Sequence, residues 1–261
     1  MSDKSKQALD FVRSVELPPE DKAFDRAIAR ARDDVGPMAD DPEGDETASV
    51  VGGSLASFTA NLTGQNRSDT KNATLFAQLA ADAAFDRQSQ PMEWYHQYVE
   101  VLSQIGWNRP GFNFSSYTSG GTTVQLDQAV LTILGGLATA NEIAMVAATM
   151  EALKEMSDDS KQMTVWDSKS SDGSKGNFQI LPCTREDNGD VAMILTGMQF
   201  TAHHSEKRFL WFSWSSDSIK IVQAAARFVL NEDIYKEVRK AIVERLGERA
   251  TKYVAEIPLG D

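Results

Sequence analysis

Cys183 is the one cysteine of the chain and its most distinctive nucleophile. It closes the run Phe178-Gln179-Ile180-Leu181-Pro182-Cys183, where strand alternation sets it on one face with Gln179 and Leu181. Where that face meets a helix, the thiol is a small buried hydrophobe and chemically inert. The sharper reading makes it a site of S-acylation, or part of an apolar ligand pocket between sheet and helices. The histidines offer less. His203 and His204 are adjacent, so on a continuing strand they point to opposite sides and cannot converge on one metal; the pair reads as a solvated loop. His96 shares a helix with Trp94 and Tyr95 and has no identifiable acid–base partner.

The patterns that announce an enzyme are missing. No Gly-x-Ser-x-Gly elbow, His-Glu-x-x-His pair, P-loop or kinase signature occurs, and Val50-Val51-Gly52-Gly53-Ser54 lacks the Gly-Lys-Ser/Thr ending that cradles phosphate. Asp167, Asp172, Glu186, Asp187 and Asp190 fall at loops, where carboxylates serve turns and solubility. The acidic run Asp40 to Glu46 lacks the spacing of a calcium loop. No catalytic residue, metal ligand or cofactor is assigned, and a nonenzymatic protein is expected.

Elements must position Cys183, and the richest stretch runs from Met163 to Leu230. Apolar runs alternate there with turn clusters, predicting strands at Met163 to Asp167, Asn177 to Cys183, Val191 to Thr201, Arg208 to Trp214 and Ile219 to Leu230, the last with a stretch, Gln223-Ala224-Ala225-Ala226, that also suits a helix. Pro182 places its strand at an edge or at its own end. Phe209 and Trp211 alternate with Leu210, Phe212 and Trp214, so both faces of this sheet need cover. Helices supply it. Lys6 to Ser14 and Pro19 to Val35 read as helices, the second stopped by Gly36-Pro37. Leu55, Phe58 and Leu62 suggest a short helix after the glycine turn, Ser68-Asp69 caps another running to Phe85, and Pro91 opens a further one that Gly106 ends. Phe112 to Tyr117 suits a short strand. Asn231 caps a last helix closed by Gly247.

Between these lie two helices of unusual composition. Ala129 to Asn141 and Ile143 to Met150 carry no charge, with Glu142 between them. A spanning helix needs about 18 unbroken apolar residues, so a buried pair is expected, not a membrane anchor. Leu131, Leu134, Gly135 and Gly136 belong to the first helix, Ile143, Val146 and Met150 to the second, and Gly135-Gly136 suggests a tight crossing. The class is α+β: an antiparallel meander of about five strands covered by helices on both faces. N-terminal helices and an acidic loop take residues 1–47, and a single α+β domain takes 48–261.

With 26 Lys and Arg against 38 Asp and Glu, the net charge is −12, which disfavours nucleic acid and anionic surfaces as nonspecific partners. One cysteine excludes an internal disulfide framework. No signal-peptide core follows Met1, so a cytoplasmic protein of the producing cell is expected, with release by a non-classical route.

The blocks Leu75-Phe76-Ala77-Gln78-Leu79-Ala80, Trp94-Tyr95 with Gly106-Trp107, Gly176-Asn177-Phe178-Gln179-Ile180 and Asn188-Gly189-Asp190 resemble a group of small soluble bacterial and fungal proteins. From Leu75 to Leu246 the layout is similar to Evf-type virulence factors, α/β proteins whose cysteine carries a buried fatty acyl chain. That resemblance implies a covalent acyl group, with Cys183 as its counterpart. A second resemblance, to Cyt-type cytolysins, implies helical hairpins that cover a sheet and move onto membranes; Leu126 to Leu153 is the matching pair. Together they imply a toxin- or virulence-like protein acting at membranes or on lipid. The alternative is a soluble interaction module that meets a protein partner through loops such as Ser168 to Gly176.

Overall fold

The computed structural model describes residues 2–33, 44–108, 111–203, 206 and 208–259. Helices α1 (Asp3–Ser14) and α2 (Lys22–Ile28) start on side-chain caps, Ser2 accepting from the Ser5 amide and Asp21 from those of Ala23 and Phe24. Strands β1 (Thr47–Val51) and β2 (Ser54–Phe58) form a hairpin whose turn, Gly52-Gly53, needs glycine because Gly52 takes φ +55°. Helices α3 (Gly64–Ala84) and α4 (Pro91–Gln104) lead to the short strands β3 (Trp107–Asn108), β4 (Ser115–Tyr117) and β5 (Thr123–Val124). Next come α5 (Leu126–Leu134), α6 (Ala140–Glu155) and α7 (Lys161–Ser170). The long strands β6 (Lys175–Arg185), β7 (Val191–Ala202) and β9 (Ile219–Leu230) follow, with β8 (Trp214–Ser215) before the last of them. The chain closes with α8 (Glu232–Leu246), α9 (Arg249–Lys252) and β10 (Val254–Ile257).

The sheet corrects the expected meander. It has eight strands in the order β10-β1-β2-β6-β7-β9-β3, with β4 also on β9. It is mixed, because β2 runs parallel to β6 while the other pairs are antiparallel. Only β6, β7 and β9 match the five predicted strands. Met163 to Asp167 lies in α7, which Ser160 caps by accepting from the Met163 amide. Phe209 to Phe212 is a turn around Arg208 at φ +54°, and only Trp214-Ser215 pairs, in a separate two-stranded sheet with β5. The hydrophobicity of that run reflects burial: Leu210 is in the core, and Phe209 and Trp214 join an aromatic cluster with Trp166, Phe178 and Phe200.

Other boundaries move for identifiable reasons. Leu55 and Phe58 belong to β2, not to a helix. Every residue of β1 and β2 is buried, so no alternation marks them. Thr63, rather than Ser68, caps α3. Pro182 sits in an interior strand, between β2 and β7; Leu181 and Pro182 drop out of the β6–β7 pairing, which resumes at Cys183 in the same register, consistent with a residue that has no N–H to donate. Val35, the Gly36-Pro37 stop and residues 40–43 of the acidic run lie outside the described residues.

Cover on both faces is present. In β2 the Ser54 hydroxyl meets Gln78 of α3, and Ser57, three residues on and therefore on the opposite face, meets Thr149 of α6. Likewise Gln179 of β6 receives Arg87 beside α3 and α4, while neighbouring Phe178 packs against Trp166 of α7. At the other end of the chain Arg245 of α8 donates to the carbonyls of Val12, Arg13 and Val15, closing the C-terminus of α1.

Candidate functional site: the α5–α6 hairpin and Cys183

The hairpin is built by an apolar stripe on each helix and a sharp start to the second. Thr139 and Glu142 form a capping box: the Thr139 hydroxyl oxygen accepts from the Glu142 amide, and the Glu142 carboxylate accepts from the Thr139 amide at 2.7 Å. Leu134, Val146 and Met150 are buried, and Leu131 and Ile143 are half-buried against the core. Helix α6 packs on β2 and β6, and α5 on α6 and β7. The expected close crossing at Gly135-Gly136 is absent. Both glycines are exposed, and a Cβ built on either would touch only carbonyl oxygens of its own helix. They end α5 and shape the turn.

Polar anchors hold α6 at both ends and at its middle. Arg227 of β9 sends Nη2 to Glu142 at 3.2 Å and to the Leu137 carbonyl at 3.3 Å, while its Nη1 reaches Glu186 at 3.2 Å. Glu142 is 2% exposed, so Arg227 is its charge partner in the interior. At the far end Arg208 donates to the carbonyls of Lys154 and Met156 and to Asp158, satisfying the last turn. Between them Ser57 and Thr149 hydroxyls meet at 2.8 Å inside the core. The outer face carries no charge from Thr132 through Gly135, Gly136, Leu137, Ala140, Asn141 and Ala144 to Ala148, all exposed. Among the described residues no helix is long and apolar enough to cross a membrane.

Cys183 lies in the core with no exposure, its sulfur 3.2 Å from the Leu181 carbonyl oxygen. Burial pushes the thiol pKa far up, and the Glu142 charge adds to the rise, so the thiolate is suppressed in the folded state. His203 lies in a bend and His204 is outside the described residues; His96 is exposed on α4. No group of three or more His, Cys, Asp or Glu side chains able to hold a metal occurs among the described residues.

Sequence reasoning passed over a buried polar network on the other face of the sheet. Arg87 donates to the Asn177 carbonyl at 3.1 Å, to Gln78 Oε1 at 3.1 Å and to Gln179 Oε1 at 2.8 Å, with its guanidinium 4.2 Å from the centre of the Trp94 ring. Gln179 also donates to the Tyr95 hydroxyl, and Gln78 to the Val51 carbonyl under the Gly52-Gly53 turn. The available signal was Gln78 and Gln179 standing at apolar positions of a helix and a strand. Each of the three nitrogens of this guanidinium makes a hydrogen bond, which suits a scaffold that fixes α3, α4 and β6 together.

Asp82 borders the network, accepting from the Trp94 indole at 2.6 Å. Burial raises its pKa despite the nearby Arg87 charge. A carboxyl raised above its unfolded value, about 3.9, stabilises the fold fully below that value and loses the contribution as pH climbs through the folded value. Asp82→Asn keeps the acceptor for Trp94 and removes the ionisation. Thermal melts are expected to show the variant more stable than the parent at pH 8, with the gain shrinking as pH falls toward 4.

No family model matches the chain. No curated protein matches it either. Among solved structures it is similar to a delta-endotoxin, at 14% identity and TM-score 0.42 over 77% of this chain and 96% of that one. It is also similar to the Evf virulence factor, at 10% identity and TM-score 0.36 over 90% of this chain and 91% of that one. Both matches agree with the resemblances to Evf-type virulence factors and Cyt-type cytolysins drawn from the layout of the sequence.

Proposed function

We propose that the protein works without enzymatic chemistry at membranes or on lipid, in a toxin- or virulence-like role, with the α5–α6 hairpin as its moving part. The observation that carries this reading is the uncharged outer face from Thr132 to Ala148 on a chain of net charge −12. A charge carried into an apolar medium is expensive, and this face brings none. The anchors supply a release route, since Arg227 and Arg208 grip polar groups that water can also satisfy. Loss of Arg227 leaves Glu142 buried without its partner and weakens the turn end first. Cys183 is the acyl acceptor in this reading. Its suppressed thiolate means that acylation precedes closure of the core or requires its opening.

Flotation and dye release with neutral and anionic vesicles across a pH series, with intact mass spectrometry, test the proposal. Association that increases in Arg227→Ala is expected. No association at any pH, together with an unmodified mass, would overturn it. The complete burial of Cys183 favours a second reading, a soluble interaction module met through its loops, and that null outcome is the one it predicts.

A further inference from the structure

The start of α5 and the end of α6 are both fixed to one short segment, the turn between β7 and β8. On the α5 side the Asp127 amide donates to the Leu210 carbonyl at 3.0 Å, and the Gln125 side chain donates to the Trp211 carbonyl at 3.1 Å. On the α6 side Arg208 donates to the Met156 carbonyl at 2.6 Å and to Asp158 at 2.9 Å. Arg208 takes φ +54°, the one positive φ outside glycine among the described residues, and its contacts with α6 offset the cost of that conformation. Phe209 and Leu210 are buried and root the turn in the core. The other end of the hairpin is fastened differently. Among the described residues no backbone hydrogen bond joins residues 131–148 to the sheet. Side chains hold that end: Arg227 reaches Glu142 at 3.2 Å and the Leu137 carbonyl at 3.3 Å, and Asn141 reaches Glu46 at 3.3 Å.

We infer that the β7–β8 turn is a hinge on which α5 and α6 open as one body, the Gly135-Gly136 end leaving the sheet first. Local opening starts where exposed hydrogen bonds and few backbone ties hold an element, and hinges are a few residues at element ends that stay anchored while the rest moves. Here the base of the hairpin has a backbone bond, a clasping arginine and two buried side chains behind it. The turn end has longer side-chain bonds from the half-buried Arg227 and the exposed Asn141. The inference deepens the reading of the hairpin as a moving part and rests on it for the purpose of the motion, while the order of opening follows from the contacts alone.

Amide hydrogen exchange of the full chain, read residue by residue by nuclear magnetic resonance, tests the hinge without vesicles. Arg227→Ala should speed exchange at Ala138 and Ile143 about tenfold and leave Asp127 and Met156 unchanged. Asparagine suits the left-handed backbone at position 208 but cannot reach the α6 carbonyls, so Arg208→Asn should quicken Met156 and Asp127 together. Gln125→Ala, an exposed change, makes the test from the α5 side should Arg208→Asn not fold: Asp127 should quicken and Ala138 should not. Equal acceleration of all four amides in Arg227→Ala would overturn the hinge. So would Arg208→Asn quickening Met156 with Asp127 unchanged, or Gln125→Ala quickening Ala138. Vesicle flotation in parallel separates the two claims: the expected exchange order without flotation keeps the hinge and removes membrane action, whereas flotation with uniform exchange removes the hinge alone.

Discussion

Arg239→Ala is expected to lower stability by about 3–5 kcal/mol, among the largest losses of any single surface-reaching residue. Arg239 of α8 makes a two-pronged pair with Asp69 of α3, Nε to Oδ1 at 2.8 Å and Nη2 to Oδ2 at 2.7 Å. The pair is lopsided. Asp69 is 1% exposed while the Arg239 side chain is 36% exposed. Removing the arginine therefore strands a carboxylate in the interior with Gln65 as its remaining side-chain donor. Removing the acid instead leaves a guanidinium that can turn to water, so Asp69→Asn should cost less. A double change, Arg239→Met with Asp69→Asn, should recover part of the loss because no buried charge remains. Urea unfolding of the three variants gives the order directly, and an alanine variant as stable as the parent would remove the pair from the account.

On the opposite face of the sheet, Trp166→Ala should cost about 3–5 kcal/mol. Trp166 is fully buried, stacked on Phe209 with centroids 5.7 Å apart and set edge-on to Phe178 at 5.7 Å. It joins α7 to β6 and to the turn that precedes β8, so the void would open where three elements meet. Its indole N–H has no hydrogen-bond partner among the described residues, so Trp166→Phe loses volume but also removes an unsatisfied donor. The phenylalanine variant should therefore retain most of the stability in the same unfolding assay. Since this site and Asp69–Arg239 share no partners across the sheet, their losses should add.

These two residues also mark where the sequence could and could not be read. Helix α8 was legible because Asn231, two acidic residues and an apolar stripe precede a terminal Gly247, each reporting local physics. Strands β6, β7 and β9 were legible for the same reason, with Asn188-Gly189 between the first two and Gly189 at φ +90°. Helix α7 was not. Its Met163, Val165 and Trp166 are all buried, and a short apolar run reads equally as strand or helix until its Ser160 cap is weighed. Strands β1 and β2 are buried on both faces and so lack alternation, and β10 is four residues long.

The candidate site divides similarly. The uncharged helix pair could be seen in the composition, but its anchors could not. Arg227 meets Glu142 across 85 positions, Arg208 meets the end of α6 across 54, and Arg87 meets Asn177 across 90. Isolated arginines carry no local pattern to announce such pairings, which exist only once β9 and the β7–β8 turn are in place. The glycine pair at 135–136 misled in the other direction, because a glycine that ends a helix and one that admits a neighbour look the same in sequence.

Ser57 and Thr149 offer the most direct test of the hairpin as a moving part, because their hydroxyls already lie 2.8 Å apart between β2 and α6. Ser57→Cys with Thr149→Cys should form a disulfide that pins α6 to the sheet, and reductant restores the free hairpin in the same molecule. Dye release from vesicles is the readout. Little release from the oxidised protein and recovery on reduction are expected, with far-ultraviolet circular dichroism unchanged between the two states. Equal release from the locked and the reduced protein would contradict it, since membrane action would then need no movement of α6 away from β2.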